Sequence, residues 1–233
     1  LLSFIGIHEV PQVYGMTPGE WARMIRAERT PGVDLRVIPL DGWHRGKNYG
    51  DLGWIWIPPS QHIPHWESAY FYAMTGTIGE LRRLSEGVGT PAPFQLIGAP
   101  WLDGQAFARR LNAADLPGVI FRPTSFKPRY GTGSSELMQG VQIHVSDYDA
   151  VDPFAISLAL MAALVEEAPQ QEVFADFVKD DGSATGYLKA LGSRELAEEL
   201  AANRPPVISE EQQARLRAFL ERREQYLLYD QAP

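Results

Sequence analysis

The chain has 233 residues, with 29 acidic against 21 basic side chains and a formal net charge of -8, so no basic stripe follows a phosphate backbone and nucleic acid is excluded as a partner. Apolar residues make up 45% and aromatics 11%, enough for one large core or two modest ones and too much for a disordered chain. Cysteine is absent, which removes disulfides, thiolate nucleophiles and cysteine-ligated zinc, and the longest apolar run, ISLALMAALV at 156–165, falls well short of the roughly 20 residues of a bilayer span, so no transmembrane segment is expected.

The opening LLSFIGIHEV is apolar, without an initiator Met, a basic leader or a cleavage site, and reads as a cut end inside a longer protein. TPGEWARMIRAE predicts a helix with Thr17 as its cap, Pro18 at the first position and Glu20 completing a capping box, followed by Trp21, Met24 and Ile25 at helical spacing. DLRVIPL then reads as a short strand ending near Pro39. Residues 41–64 are rich in Gly, Pro and aromatics without a period and predict a long irregular loop, a feature usually tied to function.

HWESAYFYAM opens a helix with Trp66, Ala69, Tyr70 and Ala73 along one side. FQLIGAPW predicts a strand and DGQAFARRLNAA a helix capped by Asp103. GVIFRPTSFKP and GVQIHVSD are two more strands, and VDPFAISLALMAALVEEA a buried helix capped by Asp152. Shorter helices follow near 187–191 and 195–202, and a last one starts at Ser209 with Gln212 completing a capping box. Strands and helices interleave early and helices prevail late, which predicts a mixed α and β fold.

Two carboxylates stand out in TIGELRRLSEGVGT, Glu80 and Glu86. Glycosidic hydrolysis typically uses two carboxyl groups about 5 to 9 Å apart, one protonated and one ionised, and a six-residue loop separation can meet that spacing. The same residues also fit a surface role, with Glu80 paired to Arg82 or Arg83 and Glu86 capping a turn. The aromatic loop offers Trp43, Arg45, Asn48, Tyr49, Trp54 and Trp56, which either stack on and bind sugar or seal a core. In GVQIHV, Gln142 and His144 share one strand face, opposite Val141, Ile143 and Val145, so the polar pair either faces a cleft or is structural. His8, His44, His62 and His65 have no metal-ligand spacing. A G-x-S-x-G elbow, a P-loop and a G-x-G-x-x-G are all missing, so acyl transfer, nucleotide hydrolysis and dinucleotide redox chemistry lose their usual signals.

Taken together, SFIGIHEVPQVYGMTPGEWA, VIPLDGWHRG, WIPPSQHIPHWESAYFY, LSEGVGTPAPFQLIGAPW, LPGVIFRPTSFKP, GVQIHVSD and the terminal RREQYLLY resemble, in order and over almost the whole chain, the bacterial exo-β-N-acetylmuramidases of the NamZ type. The resemblance implies a Rossmann-like N-terminal domain and a smaller C-terminal α+β domain with the active site between them. It also implies release of N-acetylmuramic acid from the non-reducing ends of peptidoglycan fragments, without a metal or other cofactor. On that pattern residues 1–92 are expected to be the remnant of the Rossmann-like domain and 93–233 the α+β domain. The family's upstream Pro-Glu-His-Gly motif, whose acid is a catalytic candidate, has no counterpart here, so the missing N-terminal segment is itself an expected partner and the isolated chain is expected to be inactive and prone to self-association.

Many members read Glu-Gly-Thr-Asn and then Ser-Glu-Gly-Arg-Gly-Thr, whereas here Leu81, Arg82 and Arg83 follow Glu80 and Val88 replaces the arginine. Muramic acid carries a carboxylate, so this exchange of cations bears on specificity. The reading places Glu80 and Glu86 as cleft acids, with Trp43, Arg45, Asn48, Ser85, Gln142 and His144 as substrate contacts and Glu86 on a flexible rim. A non-catalytic glycan-binding or domain-docking module is the alternative.

Overall fold

The computed structural model of the chain describes residues 6–230. Helices α1 (Pro18–Arg29), α2 (Ser68–Gly79), α3 (Gly104–Ala113), α4 (Pro153–Glu167), α5 (Gly186–Leu191), α6 (Arg194–Ala201) and α7 (Glu210–Glu224) combine with strands β1 (Leu96–Ala99), β2 (Val119–Phe126) and β3 (Met138–Val145). The chain divides into a smaller body, residues 10–55 with 208–230, and a larger body that contains residues 56–207.

In the larger body the strands form an antiparallel sheet in the order β1-β3-β2. Register pairs Ile97 with Val141 and Phe121 with Ile143, so one face is a continuous apolar surface. The period of two sends Ile120, Arg122, Gln142 and His144 to the other face, the alternation expected from GVQIHV. Helix α4 is apolar nearly all round and is correspondingly buried: Ile156, Leu160, Met161 and Leu164 join Phe107 of α3 and the inner strand residues in one core. Each such fully buried side chain contributes about 1.5–3 kcal/mol relative to exposure. The expected caps form as well, with Asp103 accepting from the amides of Gln105 and Ala106 at 2.9 and 3.0 Å and Asp152 from those of Phe154 and Ala155 at 2.9 and 3.1 Å.

Helix α2 packs on α4, burying Phe71, Met74 and Ile78 in the same core, and Ser85 bridges to β1. For that reason the expected boundary between residues 92 and 93 falls inside the larger body, and the chain passes between bodies near residue 55.

The smaller body has its own core of Met16, Met24 and Phe219, packed by Tyr14, Trp21 and Leu220. Glu20 completes the α1 capping box by accepting from the Thr17 amide at 2.7 Å. It also accepts from the Leu228 amide at 2.7 Å and forms a buried ion pair with Arg45, so one acid ties α1, the aromatic loop and the segment after α7 together. Residues 34–38 alternate between exposed and half-buried, but residues 34–40 form no strand, because among the described residues no strand lies beside them to complete a ladder. Among the described residues no parallel sheet forms, so the Rossmann-like layer expected within residues 1–92 is not seen there. The aromatic loop is irregular as expected, interrupted only by a 3-10 turn at Tyr49–Leu52.

Candidate active site

Helix α2 ends at Gly79 and delivers Glu80 to the surface; Glu86 follows after a short turn. Two reciprocal hydrogen bonds fix the turn to β1, from the Ser85 amide to the Gly98 carbonyl at 2.8 Å and back at 3.0 Å. The Phe94 amide then donates to the Glu86 carbonyl at 2.6 Å, closing the loop on itself. Gly89 accepts from the Arg129 amide at 2.9 Å with φ +89°, and a Cβ there would lie 2.2 Å from the Tyr130 carbonyl oxygen. The glycines around Glu86 therefore serve close backbone approach, and the flexible rim expected from composition is instead a loop laced to β1 and to the β2–β3 connection.

The Glu86 side chain lies against the last turn of α2. A Cβ on Gly79 would come within 2.8 Å of its carboxyl carbon, so only glycine leaves room for it. Its Oε2 is buried and has no hydrogen-bond partner. Burial pushes this carboxyl above the usual range; its own backbone amide works against the rise, the Glu80 charge adds to it, and His62 opposes it. Glu80 is exposed, and its Oε2 lies where a Cβ on Gly186, the first residue of α5, would approach to 2.7 Å. His62 stacks on Tyr130 with ring centroids 5.8 Å apart and planes 29° from parallel. The result is a half-buried carboxyl with a raised affinity for its proton, a second, water-facing carboxylate close enough to act on it, and an imidazole held by an aromatic ring.

The other expected site residues divide. Ser85 is buried, and its hydroxyl accepts from the Gly87 amide at 3.3 Å, which makes it an organiser of the turn. The Gln142 amide oxygen accepts from Arg122 across the sheet, whereas His144, on the same face, is exposed and lines a separate cavity. Trp43, Arg45 and Asn48 belong to the smaller body. There Trp43 packs edge-on to Tyr229 at 4.7 Å, and Arg45 donates to the Gly15 carbonyl at 2.7 Å besides its pair with Glu20. Asn48 opens the 3-10 turn, its amide donating to Asp51 at 2.8 Å. Sequence reasoning missed His62 and Tyr130 because it weighed the histidines only as metal ligands; the run QHIPHW held the signal. Among the described residues no three His, Asp or Glu side chains group as metal ligands, and no helix is long and apolar enough to cross a membrane.

The chain is 35% identical over 172 residues to the peptidoglycan β-N-acetylmuramidase NamZ of Bacillus subtilis (strain 168), a match covering 74% of this chain and 41% of that protein. A crystal structure of a DUF1343 family protein from Bacteroides fragilis superposes with a TM-score of 0.83 at 34% identity, covering 97% of this chain and 59% of that one. A second DUF1343 protein from the same organism gives 0.72 at 21% identity, with 99% and 60% coverage, which shows likeness of fold. This chain thus matches well under two thirds of the length of each of these proteins. The family model for the C-terminal part of exo-β-N-acetylmuramidase NamZ matches residues 70–229, and that for its N-terminal part matches residues 1–67. With both models matched in order over almost its whole length, the chain belongs to the exo-β-N-acetylmuramidase NamZ family.

Proposed function

We propose that the chain acts within a glycosidase that releases N-acetylmuramic acid from the non-reducing ends of peptidoglycan fragments, with Glu86 as general acid and Glu80 as the ionised carboxylate. The observation that carries this reading is the Glu86 carboxyl: half-buried, with one oxygen unpartnered, its affinity for a proton raised by burial, beside a second acid. Family membership supports the reaction class.

In this mechanism the protonated Glu86 gives its proton to the glycosidic oxygen as the bond to the anomeric carbon lengthens, so the leaving sugar departs as a neutral alcohol. Glu80 opposes the positive charge that grows on the anomeric carbon and ring oxygen, and water adds to that carbon, its released proton returning to the carboxyl pair, so N-acetylmuramic acid is freed and the acid is restored. Burial raises the Glu86 pKa and the charge of Glu80 adds to the rise, so one acid tunes the other. Arg83 is occupied by Asp176, whereas Arg82, two residues from Glu80, has no ion-pair partner among the described residues and is the cation that meets the carboxylate of muramic acid. Arg45 is assigned to structure, since its guanidinium is spent on Glu20 and Gly15.

The test is release of N-acetylmuramic acid from muropeptide fragments by the protein and by Glu86→Gln. The variant is expected to lose about 10²-fold or more in rate while keeping its circular dichroism spectrum, the usual scale of a lost general acid. Unchanged turnover would make Glu86 a structural acid, and a protein that binds fragments without ever cleaving them would be a glycan-binding module.

A further inference from the structure

A cavity lies in the larger body, lined by neither Glu80 nor Glu86. It has a volume of about 260 Å³ and forms where the start of α2 (His65, Glu67, Ser68, Phe71), the stretch before β1 (Ala92, Pro93, Gln95) and the end of β3 (His144, Val145, Tyr148) converge. Its apolar lining comes from Phe71, Pro93 and Val145. The Gln95 side chain is spent on the Ile143 carbonyl at 3.1 Å, but four other polar groups are unused by the fold: His65, Glu67, His144 and Tyr148 have no side-chain hydrogen bond or ion pair among the described residues, although Glu67 stands at the helix-capping position where a side chain would normally turn inward to the backbone. Tyr148 is instead fixed by rings, 5.1 Å from both Trp66 and Tyr70.

The charge pattern decides what such a cavity takes. Glu67 is the charged residue of the lining, and neither Lys nor Arg contributes to it. Two aromatic rings, Phe71 and Tyr148, line the cavity with that carboxylate, and a carboxylate among aromatic rings is a combination that attracts cations. Burial, with help from the Glu67 charge and the Tyr70 hydroxyl, pushes the Tyr148 phenol up, so it remains a neutral hydrogen-bonding group at working pH. A carboxylate ligand would meet repulsion here, which argues against the muramic acid lactyl group. The volume lies below the roughly 300–1,000 Å³ of pockets for drug-sized ligands, which suits one sugar or one amino-acid side chain.

We propose that this cavity binds a primary ammonium group on a peptidoglycan fragment, held by Glu67 and Tyr148 over the apolar lining, as a recognition subsite separate from the hydrolytic acids. The fragment as ligand class rests on the function proposed above; preference for an ammonium group does not. Two sources present that group, the amine of a de-N-acetylated sugar and the side-chain amine of a stem peptide.

Calorimetric titration of the protein with glucosamine against N-acetylglucosamine, and with Nα-acetyl-lysine amide against its Nα,Nε-diacetyl counterpart, separates them. The proposal expects saturable binding of at least one free amine, at least tenfold weaker binding of its acetylated form, and at least tenfold weakening in Glu67→Gln and in Tyr148→Phe. Saturation by glucosamine assigns the sugar amine and by Nα-acetyl-lysine amide the peptide side-chain amine. Equal binding of free and acetylated forms, no saturable binding of either amine, or unchanged affinity in both variants would overturn it. Because the readout is binding, it is independent of whether Glu86 cleaves anything.

Discussion

Glu86 combines two properties that a structural surface acid would not: it costs stability where it sits, and burial raises its affinity for its proton. The sign of the first follows from the second. In the unfolded chain the carboxyl titrates near the ordinary 4.5, and in the folded chain it titrates higher. Below the unfolded value both states are protonated and there is no penalty; between the two values the unfolded chain ionises while the native one holds its proton, so the penalty grows, and it is full above the folded value. Glu86→Gln is therefore expected to raise resistance to urea at pH 7, with the difference from the parent vanishing below about pH 4. A variant less stable than the parent at pH 7 would show that the carboxylate is well satisfied in the fold. The neighbouring glycines give a complementary test. Alanine in place of a helical glycine normally stabilises by about 0.5–1 kcal/mol. At Gly79 the new Cβ meets the Glu86 Cγ and Cδ at 2.9 and 2.8 Å and must displace the whole carboxyl, whereas at Gly186 it meets chiefly the tip of Glu80 at 2.7 Å, which can swing aside. Gly79→Ala is expected to lose activity at least tenfold without losing thermal stability, and Gly186→Ala only a few-fold; equal effects in a paired assay would remove Gly79 from a positioning role.

Among the elements, legibility followed local chemistry. Thr17 with Glu20, Asp103, Asp152 and Ser209 with Gln212 start their helices as expected, because a cap is a bond between residues two or three apart. The β3 alternation was readable for the same reason. DLRVIPL was not: its composition suits a strand, but a strand needs a neighbour, and pairing is a long-range fact that residues 34–40 cannot encode alone. The ion pair of Arg45 was illegible for a related reason, since nothing in DGWHRG announces that its partner is an acid 25 residues earlier. That pair now carries a prediction of its own. Burial alone would push Glu20 up, but hydrogen bonds from Arg45 and from the amides of Leu228 and Thr17, with the Arg45 charge, hold it below the usual range. Stability from this acid is thus present above its unfolded pKa and lost as pH falls through its lower folded one. Arg45→Met leaves that acid uncompensated and is expected to cost about 3–5 kcal/mol, measured by denaturant unfolding; a cost under about 1 kcal/mol would return Arg45 to the candidates for substrate contact.

At the scale of the whole molecule, the larger body brings to one place a cap residue at the end of α2, an acid on a laced loop, and the His62–Tyr130 stack, from segments up to 68 residues apart. The two acids could be picked from the sequence because they are close along it; the stack could not, because Tyr130 reaches His62 only through the fold. The central claim is that Glu86 protonates the departing sugar oxygen, and leaving-group dependence tests it most directly. A nitrophenolate departs with little protonation, whereas a sugar hydroxyl needs it. Rates of Glu86→Gln relative to the parent should therefore be measured on a peptidoglycan disaccharide and on the nitrophenyl glycoside of N-acetylmuramic acid. The account predicts a loss of about 10²-fold or more on the disaccharide and at least tenfold less loss on the nitrophenyl glycoside; equal losses on both, or none on either, would contradict it.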